Sequence, residues 1–362
     1  MAARSFAHIP IYKSVLPELN RITPYLEIAY QNGKFSNFGE ISHRVESSIA
    51  KLLNMGPDQI VTCSNATLAL CGALATSGND LNVWNLPSWT FTATASAVMS
   101  SNNRGNFLDV DENWRVHVEK KATIGNLIDV LPFGDGPDFQ RLSEHKIQHL
   151  VVDGAASFFA LTRTDWASVK MRFGMVVSFH PTKVPAGAEG AVFISNDAEW
   201  LERFRLWTIF GMGDDRISKF PGTNAKLSEF SASVILASLD SFHSDIAEWR
   251  LLSEIALGIS QEFKLIVTPA MAKGLISPYW IVRTEKEKIS RIAQVFNQEN
   301  IAFRKWWGDG CHRMNAYKTF SAAELTNTNK IASETLGLPF YRGMTDMEWE
   351  RISKALHVAL EG

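Results

Sequence analysis

The amino-acid sequence predicts an α/β protein, with a mixed, mostly parallel sheet packed between helices and a smaller α+β unit towards the C-terminal end. Three observations lead there. A chain of 362 residues has room for about two domains of roughly 150 residues each. Short apolar segments rich in β-branched residues recur as far as Ser195, with helical or loop stretches between several of them. The composition, 46% hydrophobic and 20% charged, is that of an ordinary globular protein with a sizeable core.

Taken in chain order, residues 42–54 place Val45, Ile49, Leu52 and Leu53 at helical spacing, and the cluster Gly56-Pro57-Asp58 stops that helix. Ile60-Val61-Thr62 reads as a strand and Thr67 to Ala75 as a helix. Ser64-Asn65-Ala66-Thr67 therefore falls at a strand-to-helix turn, completing a first βα unit. Further strands are expected at Val83 to Leu86, Gly105 to Val110, Leu127 to Leu131, His149 to Val152, Met175 to Phe179 and Ala191 to Ser195. Buried strands alternating with helices call for a sheet covered on both faces. Residues 228–239 form an apolar helix and Trp249 to Phe263 a long one, followed by strand 278–283, helix 285–298 and strand 301–306. The last helix is the best marked, because Thr345-Asp346-Met347-Glu348 is a capping box ahead of Trp349, Ile352, Leu356 and Leu360. The division is placed at 1–244 for the large domain and 245–362 for the small one, with no repeat, low-complexity tract or charged linker to sharpen it.

Bulk properties exclude several roles. A net charge of −2 provides no broad positive field for nucleic acid. Cys63, Cys71 and Cys311 form no CxxC or Cys/His pattern, so no metal site is expected and a reducing, cytoplasmic compartment fits. Met1 to Tyr12 lacks the apolar stretch of a secretory leader, and runs such as Leu68 to Ala75 fall short of the ~20 residues that span a bilayer. GxGxxG, Walker-type and GxSxG patterns are absent from the sequence.

The chemistry centres on Lys183 and Asp153. A lysine amine condenses with an aldehyde cofactor, and a carboxylate at the mouth of a parallel sheet can hold a pyridinium proton; together these suit the two ends of pyridoxal phosphate (PLP). Taken alone, Asp153 is as readily a helix cap. The Asn65-Ala66-Thr67 turn offers backbone N–H groups and the positive end of a helix to a phosphate, although an ordinary cap by Asn65 or Thr67 is the plainer reading. Ser178, five residues before Lys183, can reach the same phosphate or merely form a turn. Trp89, in Pro87-Ser88-Trp89-Thr90-Phe91, can stack on a flat ring, with core packing as its default. His180 and His312 are candidate proton carriers or substrate contacts, and Glu189 a candidate contact in the Gly-rich loop after the lysine.

From Phe38-Gly39 to the final helix, this ordered set resembles the fold-type-I sugar aminotransferases of the DegT/DnrJ/StrS family. The resemblance implies that Ala66-Thr67 and Ser178 hold the phosphate, Trp89 stacks on the cofactor ring, Asp153 pairs with its nitrogen and Lys183 carries it. Gly222-Thr223-Asn224 is similar to a segment that reaches the cofactor phosphate of the neighbouring subunit, implying a homodimer with active sites at the interface and a role for Asn224 there. Two positions depart from the pattern: Ala156 stands where many members have glutamine, and Lys226 where they have arginine. Ser-Phe-His-x-Thr-Lys at 178–183 and Arg304 to His312 look most like the branch acting on dTDP-linked keto-6-deoxyhexoses. The implied reaction takes an amino group from L-glutamate, through PLP and pyridoxamine phosphate (PMP), to a nucleotide-linked 4-keto sugar, as in lipopolysaccharide O-antigen synthesis. Amination at C3, a PLP-dependent sugar dehydratase and a non-catalytic sugar-nucleotide-binding regulator are the alternatives. Lysine at 183 counts against the dehydratase, whose relatives often carry histidine there.

Overall fold

A computed structural model describes residues 7–78, 83–119 and 121–361. Met1 to Phe6, part of the segment read above as lacking a leader, lies outside the described residues. Eleven strands among the described residues make two sheets. They are β1 Ile60–Cys63, β2 Val83–Pro87, β3 Arg104–Leu108, β4 Thr123–Val130, β5 Lys146–Asp153, β6 Gly174–Ser178, β7 Ala191–Ser195, β8 Ile266–Val267, β9 Trp280–Arg283, β10 Ser321–Ala322 and β11 Thr335–Leu338. The large sheet runs β1-β7-β6-β5-β4-β2-β3-β10, and the small one runs β11-β9-β8. In the large sheet every pair is parallel except those of β7, which lies antiparallel to β1 and β6. The expected mixed, mostly parallel architecture is thus present.

The apolar runs continue without polar alternation because both faces of the sheet are covered. Leu150 and Val152 of β5, Met175 and Val177 of β6, and Val192 and Ile194 of β7 enter one core. The intervening Val151, Val176, Ala191 and Phe193 enter the core on the other side. On that second side the helix Ala66–Thr76 packs against the helix Ala198–Trp207. The two approach so closely that a Cβ on Gly72 would stand 2.7 Å from the rings of both Phe204 and Trp207. Glycine in the middle of a helix costs about 1 kcal/mol relative to alanine, and that close approach is what it permits here.

The seven expected strands up to Ser195 all form, as do the helices Glu40–Leu53, Glu229–Asp240, Lys286–Gln298 and Asp346–Leu360. The Thr345 capping box closes at both ends, with Thr345 N–H donating to Glu348 at 2.8 Å and Glu348 N–H donating to the Thr345 hydroxyl at 3.3 Å. One expectation fails: 301–306 is not a strand, and only isolated bridges occur, Ile301 to Ile9 and Arg304 to Gly337. The reason is partnership, since no neighbour runs alongside long enough to build a ladder. The division at residue 245 falls within the first turn of the continuous helix Phe242–Glu262, while β10, from the C-terminal portion, adds to the edge of the large sheet.

Candidate active site

β2, β4, β5 and β6 run in one direction, and β1 shares it because both β1 and β6 oppose β7. Their C-terminal ends open together onto a cavity of about 560 Å³, lined among others by Ala66, Thr67, Asp153, Ser178, His180, Lys183 and Glu189. This is where an open parallel sheet presents its ligand crevice. Sequence positions spread over more than a hundred residues therefore meet because each follows the same end of a strand.

The Lys183 amine donates a hydrogen bond of 2.6 Å to the Tyr279 hydroxyl. Asp153, at the tip of β5, is buried; its carboxylate accepts from the Thr94 hydroxyl at 2.7 Å and the Ala155 N–H at 3.2 Å. Thr94 is itself bonded to Thr90 at 2.9 Å, which fixes the donor. Burial pushes the Asp153 carboxyl above the ordinary carboxylate range, against the pull of those two hydrogen bonds and the charge of Lys183. Among the described residues no ion pair includes Asp153. A desolvated carboxylate of this kind fits a protonated ring nitrogen, the one cation it needs.

At the opposite end, the Asn65 side chain caps the helix Ala66–Thr76 by accepting from Leu68 N–H at 2.9 Å. The cap and the anion site are therefore not alternatives: capping uses the N–H of Leu68, while Ala66 and Thr67 in the first turn line the cavity, where N–H groups have no intrahelical partner. Ser178 lies beside them and accepts from the His180 N–H at 3.2 Å. Carboxylate, amine and helix terminus so arranged match the nitrogen, aldehyde and phosphate of PLP.

The DegT/DnrJ/EryC1/StrS aminotransferase family model matches residues 18–357. The chain belongs to that family. It is a PLP-dependent sugar aminotransferase, and the cofactor implied by its sequence resemblance is the family's own. The dTDP-4-amino-4,6-dideoxy-D-glucose transaminase of Shigella dysenteriae is 27% identical over 346 residues, covering 90% of this chain and 92% of that protein. DesI, solved in the presence of its TDP-sugar product, superposes with a TM-score of 0.84 at 24% identity, over 98% of this chain and 93% of its own. A putative PLP-dependent aminotransferase from Bacillus cereus ATCC 10987 gives 0.84 at 22% identity, over 97% of this chain and all of its own. The fold is thus that of the PLP aminotransferases.

Two site expectations of this aminotransferase need correction. Trp89 does not line the cavity: it is buried, edge-on to Trp307 at 4.8 Å, Trp114 at 5.2 Å and Phe133 at 5.9 Å. Phe91, two residues on and 55% exposed in the single chain, is the ring of that segment that lines it. His312 lies outside the cavity lining and ties its loop to the end of β2, with Nδ1 2.7 Å from the Ser88 hydroxyl. Burial holds its imidazole below the ordinary histidine range, so it suits a neutral anchor better than a proton carrier. Asn224, expected at the neighbouring subunit's cofactor, lies outside this chain's own cavity, and its amide oxygen accepts from Lys226 at 2.5 Å.

His180 and Glu189 do line the cavity, with His180 Nε2 3.9 Å from the Glu189 carboxylate and Nδ1 2.9 Å from the Thr182 hydroxyl. Burial lowers the His180 pKa, so its ring is neutral near pH 7. Sequence reasoning missed the wall supplied by Tyr12, Phe133 and Tyr279, and it matched the stretch Arg304 to His312 to a family branch without placing Arg304, Trp306 and Trp307 in that wall. Arg304 lies over the rings of Trp306 and Tyr12, with its guanidinium carbon 4.8 and 5.8 Å from their centroids. The pair Trp306-Trp307 was the available signal, since adjacent tryptophans beside charged residues are poorly suited to a simple core.

Proposed function

We propose that the enzyme transfers the amino group of L-glutamate to the ketone of a nucleotide-linked 4-keto-6-deoxyhexose, with dTDP as the carrier. The observation that carries this reading is the meeting of Lys183, Asp153 and the Ala66-Thr67 helix terminus in one cavity whose mouth bears Arg304 between aromatic rings. A guanidinium there suits a phosphate-linked sugar, and the Shigella relative named for a dTDP-4-amino sugar supports the 4-position.

PLP, when bound, supplies a ring that takes up the electron pair released at the substrate carbon. The chain does the rest. Lys183 would hold the cofactor, and its amine would serve as the base for the proton at the substrate carbon, being the base delivered to that spot. Asp153 keeps the ring nitrogen protonated, so its charge acts on the transition state. Phe91 is placed to cover the ring, and Ala66, Thr67 and Ser178 to hold the phosphate.

The proposed assembly is a homodimer in which Asn224 and Lys226 reach the neighbouring subunit's cofactor. Tyr30, Phe35 and Phe230 support it: these rings are 64%, 41% and 46% exposed and cluster with centroids 5.1 to 6.2 Å apart, a patch that gains by being covered. A cytoplasmic location and a place in O-antigen synthesis complete the proposal. Three buried, unpaired thiols suit a reducing compartment. The test is product analysis with L-glutamate and dTDP- or UDP-linked keto sugars. A 4-amino-dTDP-sugar is expected; amination of none of them by PLP-loaded protein would overturn the reading.

A further inference from the structure

Tyr279 has a hydroxyl whose proton is unspent. Its oxygen accepts from Lys183 at 2.6 Å, and among the described residues that hydroxyl makes no other hydrogen bond. The side chain is held rather than loose: the residue is 8% exposed, its ring stands edge-on to Trp306 at 4.9 Å and Phe133 at 5.6 Å, and its N–H donates to the Ser277 hydroxyl at 3.1 Å. A fixed, buried donor facing a cavity calls for an acceptor.

Position identifies that acceptor. On the PLP ring, the carbon bearing the aldehyde has the phenolic oxygen on one side and the phosphate arm on the other. The phosphate side here belongs to Ala66, Thr67 and Ser178. Tyr279 arrives with the segment 276–279, which packs beside Ala156: a Cβ on Gly134 would lie 3.2 Å from the Ile276 carbonyl oxygen and 3.3 Å from both the Ala156 oxygen and Ser277 Cα. The Ala156 methyl offers this wall neither donor nor acceptor. The Tyr279 hydroxyl offers both, next to the amine that meets the aldehyde.

We propose that Tyr279 is a cofactor-contacting residue, whose hydroxyl, here accepting from the Lys183 amine, donates to the phenolic oxygen of PLP once the cofactor is bound. The inference rests on the PLP site described above. A hydrogen bond to the ionised phenolic oxygen favours that form, so it draws the proton of the bound chromophore off at lower pH.

The experiment is a spectral pH titration of the visible band of the PLP-loaded enzyme, wild type against Tyr279→Phe, which keeps the packed ring and removes only the hydroxyl. The midpoint should rise by about one pH unit, a tenfold change, with near-UV circular dichroism unchanged. Adding Ala156→Gln to the Tyr279→Phe variant returns a donor to the same wall and should bring the midpoint back down. An unmoved midpoint in Tyr279→Phe overturns the contact, and failure of the second substitution to restore it overturns its placement beside Ala156. Absence of any visible band in the loaded wild type would instead overturn PLP binding at Lys183, a separate failure.

Discussion

Asp153→Asn isolates one charge. The neutral amide retains the size of the carboxylate, whose two oxygens accept separately from Thr94 at 2.7 Å and the Ala155 N–H at 3.2 Å; its one oxygen keeps the bond from Ala155, and its NH2 group donates to the Thr94 hydroxyl, which can turn its proton towards Thr90. It can no longer stabilise a positive ring nitrogen. Two opposite charges about 4 Å apart at an effective dielectric of about 20 interact by about 4 kcal/mol. A barrier raised by that amount, at about 1.4 kcal/mol per factor of ten, slows the proton-transfer step about 10³-fold. Stopped-flow absorbance of the half-reaction with the amino donor measures the step directly, with circular dichroism as a check on the fold. A half-reaction at the wild-type rate would refute the reasoning. The cofactor-free protein responds in the opposite sense. Burial raises the Asp153 pKa, so its ionisation costs stability, and that cost is incurred as pH rises through the native value. Asp153→Asn should remove this loss, leaving the cofactor-free variant at least as stable as wild type at neutral pH in a thermal melt.

Lys183→Ala should still bind the pyridoxamine form of the cofactor, give no visible lysine-linked band, and lose turnover by at least about 10³-fold; full turnover would end the proposed role. Phe91→Ala should weaken PLP retention in an equilibrium dialysis with little change in Tm, whereas Trp89→Ala should cost about 3–5 kcal/mol of stability in denaturant titration; the reverse pattern would return the stacking role to Trp89. Dimers mixed from Lys183→Ala and Asn224→Ala chains should regain activity, because each hybrid holds one site with both residues intact. Failure to complement would place Asn224 in its own chain's site.

Most of the large sheet was legible because its strands are apolar on both faces and separated by helices, a pattern that survives without knowledge of partners. Segment 301–306 failed for the converse reason, since only two bridges, to Ile9 and Gly337, wait beside it. The helix Leu19–Asn32 escaped notice because Pro24 lies inside it and it buries only Ile22 and Ala29. In the site, the residues at strand ends were found from sequence, while Tyr279, Arg304 and Trp306 were not, because nothing in local spacing shows that a distant segment folds back over Lys183. Trp89 and Phe91 differ in facing: residues two apart after a strand need not share surroundings, and the larger ring went to the core.

β10 completes the outer edge of the large sheet by pairing Ser321 with Asn106 and Ala322 with Phe107, more than two hundred residues later in the chain. Tyr317, bonded to the Ser96 hydroxyl at 2.7 Å, fastens the same segment to the helix Thr92–Ser100. During synthesis the ribosome must therefore pass residue 322 before β3 acquires its outer neighbour. A nascent or truncated chain ending short of that point displays an open strand edge, a template for intermolecular pairing. C-terminal deletions beyond it should send the polypeptide into inclusion bodies even when every residue from Ala66 to Lys183 remains.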